Sequence, residues 1–302
     1  MNKLSKKLLL PREYKFQSCA VYSLPFKENN QKRLKLLTML NAILQDDRYR
    51  EELNIIKKHM NITNDNIIEL FIKYNLDVYA IDNAIYNSSA IPLILHLHNL
   101  VAQSWHQERQ DTILKFLQEV NPRSIADIGF GVPSKYTRHL LAEKRSILTL
   151  CDFSEHAFKF AEVLLGIWDR NWASLINFRR MNMETGDYIG AYDLYMFIDS
   201  IEHVTDSARY LKKYVSLSPP SSQFILSLPI GPLIPMHYIA WSTTQEALAW
   251  LKQCDLMVEN MREVRVNPGV DLFAEQYNYE YYNVIVRCKK IKDKSTEGGK
   301  FA

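Results

Sequence analysis

The sequence predicts an α/β fold, a mostly parallel seven-stranded sheet with helices on both faces, joined to an N-terminal helical module. Three observations predict it. Before about residue 104 the apolar residues recur at helical spacing, and no alternating strand pattern appears. Beyond that point short β-rich runs alternate with helical ones, as parallel βαβ units require. The last two runs are both strands with no helix between them, so they close the sheet as a hairpin, antiparallel in part.

Each element has its own signal. Leu34, Leu36, Leu37, Leu40, Ile43 and Leu44 lie on one helix face. Leu53, Ile55, Ile56 and Met60 mark a second, and Ile67, Ile68, Leu70, Phe71 and Tyr74 a third. Residues 61–64 read as a break, with Asn64 as the N-cap of the helix that follows. The first hundred residues thus form a bundle of four or five helices. A helix over 107–120 stops at Asn121-Pro122. Strands are expected over 124–128, 147–151, 178–181, 194–198, 224–228, 258–266 and 281–288. Helices over 136–143, 155–165, 207–216 and 244–253 fall between them. The domain reading is a helical cap module over 1–104, a sheet domain over 105–290 and a polar, flexible tail over 291–302.

Composition excludes several function classes. With 302 residues, 47% apolar and 24% charged, the chain can bury a large core and has the balance of a soluble globular protein. A net charge of +3 without a basic stripe does not point to nucleic acid. The cluster Lys289, Lys290, Lys292 and Lys294 reads as a solvated end. Cys19, Cys151, Cys254 and Cys288 are far apart and not at metal-ligand spacing, which suggests a reduced, cytoplasmic protein. The apolar run at 8–10 is too short for a signal peptide, and 90–101 is too short and too polar to span a membrane. His96 and His98, two apart on a helix, face different ways, so no metal site is expected there. No feature fixes the oligomeric state.

The chemistry is concentrated between Ser124 and Val204. The first strand runs into Asp127-Ile-Gly129-Phe-Gly131-Val-Pro133, at the carboxyl end where open α/β sheets bind ligands. Gly129 and Gly131 permit a tight turn and close approach of a ligand to the backbone. A dinucleotide fingerprint needs glycine at 134, where Ser134 stands. Asp127 would attract a positively charged ligand group and repel a pyrophosphate. Asp152, at the end of the second strand, is placed to accept hydrogen bonds from ribose hydroxyls, or else to cap a helix in competition with Ser154. Asn182 can reach an adenine amine or serve as a turn residue, and Met183 can pack on the ring. Asp199 lies at the carboxyl end of the fourth strand, and Glu202 and His203 follow it as site residues or as a helix start.

Asp127-x-Gly129-x-Gly131, Asp152 and Asp199-Ser-Ile-Glu202-His203-Val204, in that order and spacing, resemble the class I S-adenosylmethionine-dependent methyltransferases. The stretch from His237 through Trp241-Ser242-Thr243 to Cys254 and Val258 is similar to the segment after strand five in their small-molecule members. The resemblance covers about residues 107–290 and implies a Rossmann-like domain that binds S-adenosylmethionine. It implies cofactor contacts at Asp127, Gly129, Gly131, Pro133, Asp152, Phe153, Asn182, Met183, Asp199 and Ser200. Pro133 stands where the family usually has a third glycine, so the loop can turn more sharply. The implied activity is methyl transfer to a small-molecule acceptor. The alternative is attack on the methionine side-chain carbon with release of methylthioadenosine, as in nicotianamine-synthase-like and azetidine-forming enzymes; a third reading is a non-catalytic binding protein.

The substrate is expected between the N-terminal helices, Asp199 and the loop bearing His237 and Tyr238. That loop carries Pro232 and Pro235, and His237 is the candidate general base, with an ordinary pKa of about 6.5. Tyr277, Tyr279, Tyr281 and Tyr282 fit a cation cage or, more simply, strand packing.

Overall fold

The computed structural model describes residues 26–76, 90–100, 104–185, 187–233, 237–265 and 281–291. Helices α1 (Phe26–Gln45), α2 (Asp47–Met60), α3 (Asn64–Leu76) and α4 (Ala90–Leu100) come first. Helix α5 (Ser104–Val120) leads into β1 (Ser124–Ile128). Then follow α6 (Lys135–Glu143), β2 (Ile147–Asp152), α7 (Glu155–Trp168), β3 (Ile176–Arg180) and β4 (Leu194–Phe197). The chain continues through α8 (Ser207–Leu217), β5 (Gln223–Ile230), α9 (Thr244–Gln253), β6 (Leu256–Arg265) and β7 (Tyr282–Lys290).

The seven strands form one sheet in the order β3-β2-β1-β4-β5-β7-β6. Every pair among β1 to β5 is parallel, and β7 runs antiparallel to both of its neighbours. The expected closing hairpin exists, but β7 inserts between β5 and β6. Alternation along the strands builds two cores. Ile125, Leu194, Met196, Ile225 and Ile285 face α5, α6 and α7. Ala126, Tyr195, Phe197, Phe224 and Val284 face α8 and α9.

Strand and helix positions match the periodicity, with ends displaced by a few residues. β3 starts two residues before 178, β5 runs on to Ile230, and α7 continues to Trp168. The N-cap of α3 is Thr63, not Asn64: its hydroxyl accepts from Asn66 N at 3.2 Å, and Asn66 Oδ1 accepts from Thr63 N at 3.1 Å. Leu34 and Ile55, read as core-facing, are exposed. The side chains of Leu36, Leu70 and Tyr74, with Cys19, Pro235, Tyr277, Tyr279, Lys292, Lys294 and the tail beyond Ile291, lie outside the described residues.

A third core joins the first four helices to the sheet domain. Leu40, Leu53, Ile56, Ile67, Phe71, Leu93 and Leu97 pack with Phe160 and Leu164 of α7 and with Val132 of the loop after β1. Buried polar contacts reinforce this seam. Glu52 of α2 meets His96 of α4 at 2.8 Å and accepts from the Trp168 indole at 2.9 Å. His98 points elsewhere, edge-to-face with Phe71. No described helix is long and apolar enough to cross a membrane. Cys151, Cys254 and Cys288 are free and buried.

Candidate functional site

Backbone bonds to the end of β2 hold the start of the loop after β1. Gly129 N donates to Cys151 O at 2.8 Å, and Phe130 N donates to the same oxygen at 3.3 Å. Gly129 and Gly131 adopt φ of +74° and +57°, in the left-handed region that favours glycine. A Cβ at Gly129 would stand 2.6 Å from Ser200 Cβ and 3.5 Å from Met183 Cε. The loop is therefore closely packed by the tip of β4 and the turn after β3. A Cβ at Gly131 would meet Leu95 of α4 at 3.2 Å, so an N-terminal helix also reaches the loop. Pro133 is buried and leads directly into Ser134, the N-cap of α6.

Asp127 is buried beneath this loop. The Tyr136 hydroxyl donates to its Oδ2 at 2.9 Å, while its buried Oδ1 has no partner among the described residues. Burial first, then nearby Asp152, pushes the carboxyl up to about 7. Burial and the Asp127 charge hold the Tyr136 hydroxyl far above its ordinary value, so it remains a donor. Asp152 is also buried. Its Oδ2 accepts from Gly131 N at 3.1 Å and its Oδ1 from Ser154 N at 2.8 Å. It thus ties the glycine loop to the start of α7, and the carboxylate keeps acceptor capacity for a ligand hydroxyl. Phe153 beside it is exposed.

Asn182 acts locally as a turn residue, its Oδ1 accepting from Glu184 N at 2.9 Å. Glu184 accepts from Thr205 N at 2.7 Å and so latches this turn to the connection after β4. Asp199 has a left-handed φ of +47° and is ion-paired with Arg109 of α5. Its Oδ1 also accepts from the Ser227 hydroxyl at 2.5 Å and from Asn283 Nδ2 at 3.3 Å. Asp199 therefore anchors α5 and β7 to the tip of β4, a role that its position at a strand end did not reveal.

After Asp199 the chain makes a 3-10 turn, Ile201–His203, and α8 starts later, capped by Asp206. The backbone N of Tyr238 donates to Glu202 O at 2.7 Å, pinning the loop after β5 onto that turn. This brings the His237 ring edge-on to His203, with centroids 4.7 Å apart. Glu202, His203 and His237 each offer one ligand atom, and these atoms lie within 4.8 Å of one another. The sequence placed His237 near an ordinary imidazole value, but burial and neighbouring His203 drive it well below 6.5. The ring is thus neutral and a weak base. The Tyr238 side chain is exposed.

Three partners of the site escaped the sequence reading. Arg109 lies four residues from both Trp105 and Ile113, on the buried stripe of α5, and a basic residue on an apolar stripe is the signal that could have found it. Ser227 and Asn283 are polar residues within the buried stretches of β5 and β7. Of the tyrosines, Tyr282 packs within the sheet, with the Arg265 guanidinium 4.4 Å from its ring centre.

The sequence matches no protein-family model and no curated protein. Solved structures are similar in shape. PigF with SAH shares 14% identity and a TM-score of 0.50, covering 79% of this chain and 73% of that one. The N-methyltransferase NodS from Bradyrhizobium japonicum, in complex with S-adenosylhomocysteine, shares 13% identity and a TM-score of 0.49 over 64% of this chain and 91% of its own. Magnesium protoporphyrin IX methyltransferase from Synechocystis with bound SAM shares 14% identity and a TM-score of 0.47, covering 78% and 96% of the two chains. At such identities the likeness is one of fold, and the fold is the Rossmann-like class I methyltransferase fold expected from the motifs.

Proposed function

We propose that the chain binds S-adenosylmethionine on the glycine loop and transfers its methyl group to a small-molecule acceptor. The observation that carries this reading is the buried Oδ1 of Asp127, without a hydrogen-bond partner among the described residues, beneath a loop with two left-handed glycines. A buried acceptor without a donor is costly unless a ligand supplies one. The residues fit the group: Asp127 would take the ammonium end, Asp152 the ribose hydroxyls, and Met183 the purine face. The cofactor supplies an already activated methyl. The chain's task is to align the acceptor and exclude water, and α1 to α4, packed against the loop through Val132 and Leu95, serve as the cap that does so.

Calorimetry with S-adenosylmethionine tests binding, and Asp152→Ala tests the assignment. The variant should lose roughly 1.5–3 kcal/mol of binding free energy per charged hydrogen bond removed. Unchanged affinity removes Asp152 from the ribose site. Product analysis separates the two reactions: S-adenosylhomocysteine marks methyl transfer and methylthioadenosine marks attack on the side-chain carbon.

A pH series adds a second check. Asp127 sits at about 7 in the fold against an ordinary 3.8, so it stays protonated through the acidic range in the folded chain. Its contribution to stability is complete below its unfolded pKa and is lost as pH rises through about 7. Pairing with an ammonium needs the ionised form, so affinity should rise roughly tenfold between about pH 5.5 and 7. Asp127→Asn should flatten that rise. A rise that survives in the variant assigns it to another group.

A further inference from the structure

We propose that Glu202, His203 and His237 form a binding site for one divalent transition-metal ion. Their ligand atoms lie within 4.8 Å of one another, and they form the metal-competent cluster among the described residues. Metal–ligand distances of about 2.0–2.2 Å put neighbouring ligand atoms roughly 3–3.5 Å apart, so closing the site takes side-chain rotation of about an ångström. The backbone is already fixed. Glu202 and His203 share the 3-10 turn after β4, and the Tyr238 N to Glu202 O bond of 2.7 Å holds the His237 loop against it.

Two unsatisfied atoms point to a ligand. Glu202 is only 1% exposed, and its Oε2 has no hydrogen-bond partner among the described residues. His237 Nδ1 is likewise buried without one. The charged group near Glu202 is Arg109, whose guanidinium is engaged by Asp199. Two imidazoles and one carboxylate suit zinc, manganese, iron(II) or cobalt(II); magnesium and calcium prefer all-oxygen sets. Three protein ligands leave at least one position open to water or to an acceptor atom.

The test uses the full chain, stripped with a chelator and titrated with cobalt(II) and zinc without S-adenosylmethionine, so that failure of the methyl-donor reading does not affect it. One equivalent should bind, with cobalt d–d absorption of a low-symmetry nitrogen–oxygen site. Glu202→Gln and His237→Asn, checked for folding by circular dichroism, should each weaken binding by at least about a hundredfold, since even outer-shell changes cost 10–100-fold. Binding well below one equivalent in the unsubstituted chain overturns the proposal. So does undiminished binding in either folded variant. If both variants misfold, the unsubstituted chain alone decides: cobalt bound without imidazole signatures in its paramagnetic NMR spectrum also overturns it.

Discussion

Arg109→Met is expected to lower stability by about 3 kcal/mol, the low end for breaking a buried ion pair, because Asp199 keeps partial solvent access. The loss does not come from charge alone. Arg109 also meets His106 Nδ1 at 3.2 Å, and its guanidinium lies 5.1 Å from the Trp105 ring centre. Removing it leaves Asp199 with two neutral donors, Ser227 and Asn283, at a residue whose φ is already left-handed. For a chain of this size, thermal unfolding should shift down by roughly 4–6 °C. Asp199→Asn combined with Arg109→Met should cost less than the sum of the single changes, because the two share one interaction. A melting temperature within about 2 °C of the original would show that the pair contributes little net stability, as many ion pairs do.

Gly129→Ala is the second large effect. A left-handed φ costs a non-glycine residue roughly 1–2 kcal/mol, and the new Cβ would stand 2.6 Å from Ser200 Cβ. Ser200 Cβ is fixed to its own backbone and cannot swing aside, so the glycine loop or the tip of β4 must move. Overpacking of this kind adds about 1–3 kcal/mol. Displacing the loop should also disturb the Gly131 N bond to Asp152 and weaken S-adenosylmethionine binding by more than about tenfold. Gly131→Ala is the internal comparison. Its nearest contact is the end of a flexible leucine side chain at 3.2 Å, so it should cost about 1–2 kcal/mol from φ and little more. Calorimetry and thermal melts on both variants check the order. Equal losses at the two positions would show that the approach to Ser200 does not constrain the loop.

Several features were readable from residue order alone. The alternation of β-rich and helical runs predicts the βαβ units, because side-chain direction along a strand or helix is fixed by local geometry. The placement of Asp127, Gly129, Gly131 and Asp152 at or just beyond the carboxyl ends of β1 and β2 was legible for the same reason. The strand order was not legible. β7 enters between β5 and β6 because a strand run can pair on either edge, and only the packing of the whole sheet selects one.

The second half of the site was decided by tertiary structure. Arg109 and Asp199 are 90 positions apart, and Glu202 and His237 are brought together by a backbone bond between two loops. Burial leaves Glu202 Oε2 without a hydrogen-bond partner among the described residues, raises the Glu202 carboxyl and lowers the His237 imidazole. Sequence determined the scaffold and its glycine loop because those follow from local geometry. Distant side chains meet, and their charges are tuned, only where folding excludes water, and no spacing along the chain records that.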